Sequence, residues 1–222
     1  APIAVKRAFP PGRYIRKQSP DVQSPILDLV CNWQSFASQH PKMRKRIERM
    51  KRRFGAGFEY RCISDPAACA YCLDDYIELE SRSRKQRAGI GISRSAQSLN
   101  FHRRLFATLA QSSQLHFGFL YVDGLLVSAE IAYTHGDSVY FSHGCFDESF
   151  REYSPGMVSV SLFLEYFHNG RYKNGDFLGG FADYINPWAS SIVASDRVSI
   201  ANVSPKVLLG IARAAYAKIR AK

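Results

Sequence analysis

The apolar positions of this chain follow two periods. Met43, Ile47, Met50 and Phe54 step by four, three and four residues, which predicts an amphipathic helix over 42–53. Cys69, Cys72, Leu73, Tyr76 and Ile77 keep the same helical spacing after Asp65-Pro66, an N-cap followed by a proline suited to a first helical turn, so a helix is expected from there to about residue 83. A further helix is predicted over 95–111, with Phe101, Leu105 and Leu109 on one side, and a short one over 27–36. Strand patterns fall at 57–63, 115–122, 125–133 and 138–146; the last three form a meander, turned at Asp123-Gly124 and at His135-Gly136-Asp137. Short strands at 175–180 and 197–203 and a terminal helix from Ser204-Pro205 complete the order, an α/β pattern on a mixed sheet. Residues 1–25 carry Pro2, Pro10, Pro11, Pro20 and Pro25 without helical period and read as an extended linker, leaving 26–222 as one domain.

One stretch departs from simple periodicity. EYSPGMVSVSLFLEYF, residues 152–167, places proline and glycine directly before a run that is apolar almost all round. Serine is a favoured N-cap and proline fits the first helical turn, so Ser154-Pro155-Gly156 is expected to start a buried helix rather than break one. The amides of Gly156, Met157 and Val158, with the helix dipole behind them and Arg151 nearby, would then offer an anion site.

Composition narrows the setting. A chain of 222 residues with 46% hydrophobic residues can bury a sizeable core, and no run reaches the length of a membrane span, so a soluble protein is expected. Five cysteines without disulfide-rich spacing favour a reducing compartment, hence the cytoplasm, and Cys69 and Cys72 read as part of a buried helix face. The histidines have no metal-ligand spacing, and no metal is expected. The net charge of +11 points to anionic partners, and KMRKRIERMKRR puts eight cations against Glu48 on a helix whose outer face is either simply solvated or a contact for phosphates or acidic lipid. A start on Ala1 without an initiating Met is the expectation for a piece of something longer.

The order of elements and several short motifs resemble the GCN5-related N-acetyltransferase (GNAT) fold, and within it the CelD-type acetyltransferases of cellulose and envelope-polysaccharide operons. The resemblance runs from about Pro25 to the C-terminus through SPILDL with Trp33, the basic helix, ELESRSRK (78–85), FHRRLF (101–106), DGLLVSAEIA (123–132), FDESFREYSPG (146–156) and GDFLGG (175–180). It implies a GNAT-like, mostly antiparallel sheet flanked by helices. It also implies that acetyl-CoA or a longer acyl-CoA is the donor, its diphosphate held by the backbone of Tyr153, Ser154, Gly156, Met157 and Val158. Ser83 and Lys85 match the family's SWK-like substrate motif with Arg84 at the aromatic position, while Asp183, Tyr184 and Trp188 of GFADYINPW fall on the acceptor side. Two departures stand out: Ile185 follows Tyr184 where the family has a Tyr-Lys pair, and His143 stands where a lysine is frequent. The family often pairs two GNAT halves, so an N-terminal half or a homodimer is an expected partner.

Direct attack of an amine or hydroxyl on a thioester needs a base for the acceptor's proton, a donor for the developing oxyanion and an acid for the departing thiolate. Glu130 and His143 are the first pair expected to serve. With Gly136-Asp137 as the hairpin loop they sit directly opposite, with His135-Gly136 diagonally, and a three-residue loop would separate them; as a pair, His143 would be the base and Glu130 would orient it. A satisfied polar pair on the sheet is the plain alternative. Tyr184 is the candidate acid or acceptor contact. Three functions fit these features. The first is an acyl-CoA-dependent N- or O-acyltransferase acting on envelope saccharides or amines, cytoplasmic or peripheral to the inner membrane face. The second is a Fem-like aminoacyl-tRNA-dependent transferase, and the third a catalytically silent module binding a partner or membrane.

Overall fold

Glycine and aspartate in left-handed backbone close the meander where local turn chemistry requires it. In the computed structural model, Asp123 and Gly124 have φ of 49° and 79°, and Gly136 has φ of 62°. The structure describes residues 14–179 and 188–205. Of these, Ser24–Ile192 lie in one compact unit, and the described parts of 1–23 and 193–222 in a second.

In the first unit, helices α1 (Trp33–Gln39) and α2 (Pro41–Arg53) precede β2 (Phe58–Ile63). Helices α3 (Pro66–Ser81), α4 (Arg84–Ala88) and α5 (Ala96–Gln111) then lead into β3 (Leu115–Val122), β4 (Leu125–His135) and β5 (Ser138–Phe146). A 3₁₀ turn at Glu148–Tyr153, helix α6 (Pro155–His168) and β6 (Asn174–Asp176) come next. Strand β1 (Tyr14–Asp28) enters the sheet beside β6, giving the order β2-β3-β4-β5-β6-β1. Each neighbouring pair in this order is antiparallel except β5 with β6. In the second unit, the start of β1 neighbours β7 (Ser191–Asn202). Among the described residues no helix is long and apolar enough to cross a membrane.

Two expectations near the N-terminus change. Residues 14–28 form a strand, where an unpaired linker was expected to residue 25, because Ile26, Leu27 and Asp28 pair with Asp176, Gly175 and Asn174. The helix expected over 27–36 starts only at Trp33, after Asn32, whose side chain accepts from the Ser35 amide at 2.9 Å. The strand expected over 175–180 covers only 174–176, since Leu178 and Gly179 turn into left-handed backbone. The last strand is longer than predicted, and the terminal helix expected beyond residue 205 lies outside the described residues.

Two apolar layers sandwich the sheet. Tyr76 and Leu79 of α3 and Phe106 of α5 cover Phe117, Phe119, Ala129 and Ile131 on one face. Cys69 and Cys72 belong to that layer, with burial raising their thiols to about 11 and about 12. On the other face, Phe163, Leu164 and Phe167 of α6, with Ile47 and Met50 of α2, pack on Leu120, Ala132 and Val139. The apolar stripe of α2 is therefore core, and its basic residues other than the half-buried Lys51 are exposed.

The loop that closes the α3–α5 layer hangs on a buried carboxylate. Glu80 is 0% exposed, and it accepts from the amides of Ile92 and Ser93, both at 3.0 Å, and from Ser93 Oγ at 2.9 Å. A Cβ on Gly91 would lie 2.4 Å from Glu80 Oε2, so only glycine lets this loop come so close. Glu80→Gln places an NH₂ among donors and loses a charge-assisted bond. It is expected to destabilise the protein by about 2 kcal/mol, measured by urea unfolding.

Candidate functional site

Strand β5 contains one residue too many for its partner. His143 pairs with Ile131 and Phe141 with Ala132, so Ser142 is the unpaired extra residue, its hydroxyl donating to the Ile131 carbonyl at 3.1 Å. The hairpin loop is Gly136-Asp137, as one expected register required, since His135 pairs with Ser138. Beyond the bulge the register moves by one, and Glu130 faces Gly144 rather than His143. The expected His143–Glu130 pair is thus not formed, because a one-residue slip sends a side chain to the other face. His143 points at α5, its ring 5.1 Å from His102 and 6.3 Å from Phe106. Glu130 lies on the α6 face, opposite Gly118, whose missing side chain leaves room for Tyr60 and Phe163.

Strands β5 and β6 pair only through Ser138, Val139 and Tyr140, because β6 ends at Asp176, so the C-terminal part of β5 runs on beyond it. A cavity of about 410 Å³ lies along that end of β5, at Gly144, Cys145 and Phe146. Glu130 and Gly144 form part of its wall, and the Ser83-Arg84-Lys85 segment another. Arg151, Ser154, Gly156 and Met157 close it at the start of α6. Seven of the residues singled out in the sequence meet here: Ser83, Lys85, Glu130, Arg151, Ser154, Gly156 and Met157.

Glu130 sits directly beneath the glycine it pairs with, and a Cβ on Gly144 would fall 2.0 Å from its Oε2. Burial raises its carboxyl well above the ordinary carboxylate range, and the positive charge of Lys85 only partly counters this. His143 moves the other way, to about 3, through burial and the neighbouring charges of Lys85, His102 and Arg94. Its ring is therefore neutral at physiological pH and a poor proton acceptor, which corrects its expected role as base. Glu130 is shifted in the opposite direction, toward holding a proton more tightly than an ordinary carboxylate.

The entry to α6 differs from expectation in its cap. Ser154 is left-handed (φ 55°, ψ 51°), and its side chain makes no capping bond. An N-cap hydroxyl reaches the first turn from extended backbone, so here the Ser154 carbonyl takes over, accepting from the amides of Met157 at 3.1 Å and Val158 at 3.4 Å. Those two amides are engaged, and Val158 is fully buried in the core, so neither holds an anion as expected. Pro155 has no N–H, and Gly156 keeps an amide with no partner among the described residues. Tyr153 lies outside the cavity wall, packed at a tilt against Phe54 at 5.7 Å and under the Arg53 guanidinium at 5.1 Å. Arg53 also donates to the Glu152 carbonyl at 2.7 Å, which ties the turn to α2.

Ser83 caps α4, donating to the Glu80 carbonyl at 2.7 Å and accepting from the Lys85 amide at 3.1 Å, so its hydroxyl is engaged in structure. Trp188 is 2% exposed and packs on Trp33 and Phe36, which makes it a core residue and not the expected substrate contact. Asp183 and Tyr184 lie outside the described residues. Sequence reasoning missed Gly144 and Glu148 and noted Arg84 only as a departure from the motif; all three are in the cavity wall. A glycine within a strand was the available signal for Gly144. Glu148 lies 3.7 Å from Arg151 Nη1 and 3.3 Å from Arg87 Nη2, so the acidic wall residue is balanced by two cations. Among the described residues no cluster of acidic, cysteine and histidine side chains could hold a metal ion.

The fold has relatives among solved structures. A conserved protein of unknown function from Bacteroides thetaiotaomicron superposes with a TM-score of 0.52 at 16% identity, covering 90% of this chain and 66% of its own. FemX superposes with a TM-score of 0.60 at 10% identity, covering 87% of this chain and 64% of its own. This chain therefore spans less than two thirds of either length. No curated protein matches it. The family described as acetyltransferase (GNAT) domain matches residues 41–185, the span that carries β2 to β6 and the turn into α6. By that match, the chain belongs to the GNAT acetyltransferase domain family.

Proposed function

We propose that this domain transfers an acyl group from acyl-CoA, most simply acetyl-CoA, to an amine or hydroxyl acceptor, with Glu130 as the general base. The observation that carries the reading is the meeting of a carboxyl raised by burial with the unpartnered Gly156 amide in one cavity at the end of β5. Gly156, Arg151 and Lys85 would hold the donor's phosphates by backbone donation and charge. When bound, the donor supplies the activated thioester. Glu130 takes the proton of the attacking amine or hydroxyl as the new C–N or C–O bond forms. The C–S bond breaks, and the thiolate leaves to be protonated from solvent. In line with the CelD-type resemblance, the acceptor class is an envelope saccharide or an amine-bearing precursor, encountered on the cytoplasmic side.

The test is titration calorimetry of the full chain with acetyl-CoA. One-site binding is expected, together with a rise in melting temperature; at a free ligand concentration of 100 Kd the stabilisation is about 2.7 kcal/mol. Arg151 is exposed and its ion pair is long, so Arg151→Gln is expected to fold normally and weaken acetyl-CoA several-fold. No heat at millimolar acetyl-CoA would remove the reading. The second reading, a Fem-like aminoacyl-tRNA-dependent transferase, draws on the outward cations of α2. It predicts tRNA binding that falls steeply with salt, without response to CoA.

A further inference from the structure

A second cavity, of about 570 Å³, lies on the α5 side and shares no wall residue with the Glu130 cavity among the described residues. Its wall includes the first turn of α5, a helix of 16 residues. Ser95 caps that turn from extended backbone, its Oγ accepting from the Ser98 amide at 3.1 Å and its carbonyl from Leu99 at 2.9 Å. The amides of Ala96 and Gln97 have no partner among the described residues and stand at the positive end of the helix dipole.

Buried groups in the same wall also lack partners. Ser98 is 9% exposed and its hydroxyl has none; neither does Nδ1 of His143. Buried polar atoms are rarely left so, and a ligand oxygen would accept from the Ser98 hydroxyl. Arg94 is exposed at the cavity and forms no ion pair among the described residues. The half-buried His102 donates from Nδ1 to the Ser98 carbonyl at 2.8 Å, which fixes the ring facing His143. Among the described residues no carboxylate lines the cavity. At its rim, Ile90 and Phe101 are each 59% exposed, large apolar side chains that a ligand body could cover.

From this juxtaposition we infer that the α5 cavity binds a small molecule carrying a carboxylate or phosphate on an apolar body. Arg94, the Ser98 hydroxyl and the free amides of the first α5 turn take the oxyanion, and Ile90 and Phe101 take the apolar part. A cation, a helix start and a buried hydroxyl converge without a competing acid, whereas a neutral ligand would leave the Arg94 charge unanswered.

The test is calorimetry of the full chain with phenylacetate, phenyl phosphate, neutral phenylacetamide and inorganic phosphate. At least one aryl anion is expected to bind, with phenylacetamide and inorganic phosphate each about tenfold weaker or more. The stronger of the two aryl anions identifies the head group. Arg94→Gln, at an exposed position, is expected to weaken that anion about tenfold or more while leaving the melting temperature and acetyl-CoA affinity unchanged. Ser98→Ala should weaken it several-fold; if that variant proves unstable, Arg94→Gln decides alone. No heat with either aryl anion, equal binding of phenylacetamide, or an unaffected Arg94→Gln variant overturns the inference. Because acetyl-CoA is titrated in parallel, failure here is distinguishable from failure of the donor site.

Discussion

Glu130→Gln is expected to lower turnover by about 10²- to 10⁴-fold, the span typical of losing a general base, while acetyl-CoA affinity changes little. The substitution keeps the shape of the side chain beneath Gly144, where a Cβ would come within 2.0 Å of Oε2, so packing is conserved and only the proton acceptor is lost. In the unaltered protein, the acid limb of kcat/KM should lie well above the ordinary carboxylate range, because burial raises this carboxyl. Stability supplies an independent readout. A carboxyl that binds its proton more tightly folded than unfolded costs stability as pH rises from the ordinary carboxylate value through the raised one. The melting temperature of Glu130→Gln relative to the parent should therefore climb across that window and level off above it. Unchanged turnover would remove Glu130 from the chemistry, and a stability difference flat with pH would remove burial as the cause of its shift.

The reasons why Glu130 was visible and its geometry was not lie in the range of the forces involved. Turns and helix starts are written locally. Asp123-Gly124 turns as predicted, and α3 starts at Pro66 with Asp65 accepting from the Ala68 amide at 2.9 Å. The start of α5 after Ser95 obeys the same logic. Strand register is set by distant partners. The hairpin loop was readable, but the extra residue at Ser142 carries no local mark, and it alone moves His143 to the α5 face and Glu130 under Gly144. Strand β1 escaped because Ile26 finds its partner at Asp176, far along the chain, while the nearby prolines suggest an unpaired segment. At Ser154 the residue type was right for a cap, yet left-handed backbone turned the hydroxyl's role over to the carbonyl. The seven site residues that did converge come from three separate segments: Ser83 and Lys85 were legible through a motif, Glu130 through an expected register, and Arg151, Ser154, Gly156 and Met157 through the chemistry of a helix start.

Trp188 separates a packing role from a binding role most sharply. It is 2% exposed, with its ring 5.8 Å from Trp33 and 5.9 Å from Phe36, against which it stacks at 21°. Both partners belong to α1, a helix of seven residues that is too short to persist without tertiary contacts. Trp188→Ala is thus expected to cost about 3–5 kcal/mol through lost burial and the cavity left behind. For a unit of this size, that lowers the melting temperature on the order of 10 °C. Trp188→Phe should cost much less, since the indole N–H has no hydrogen-bond partner in its buried place and its removal relieves that desolvation. Measured well below the new melting temperature, the acceptor KM of Trp188→Ala should match that of the parent. A raised KM with an unchanged melting temperature would instead place Trp188 against substrate and show that the aromatic cluster at α1 is not what this residue holds together.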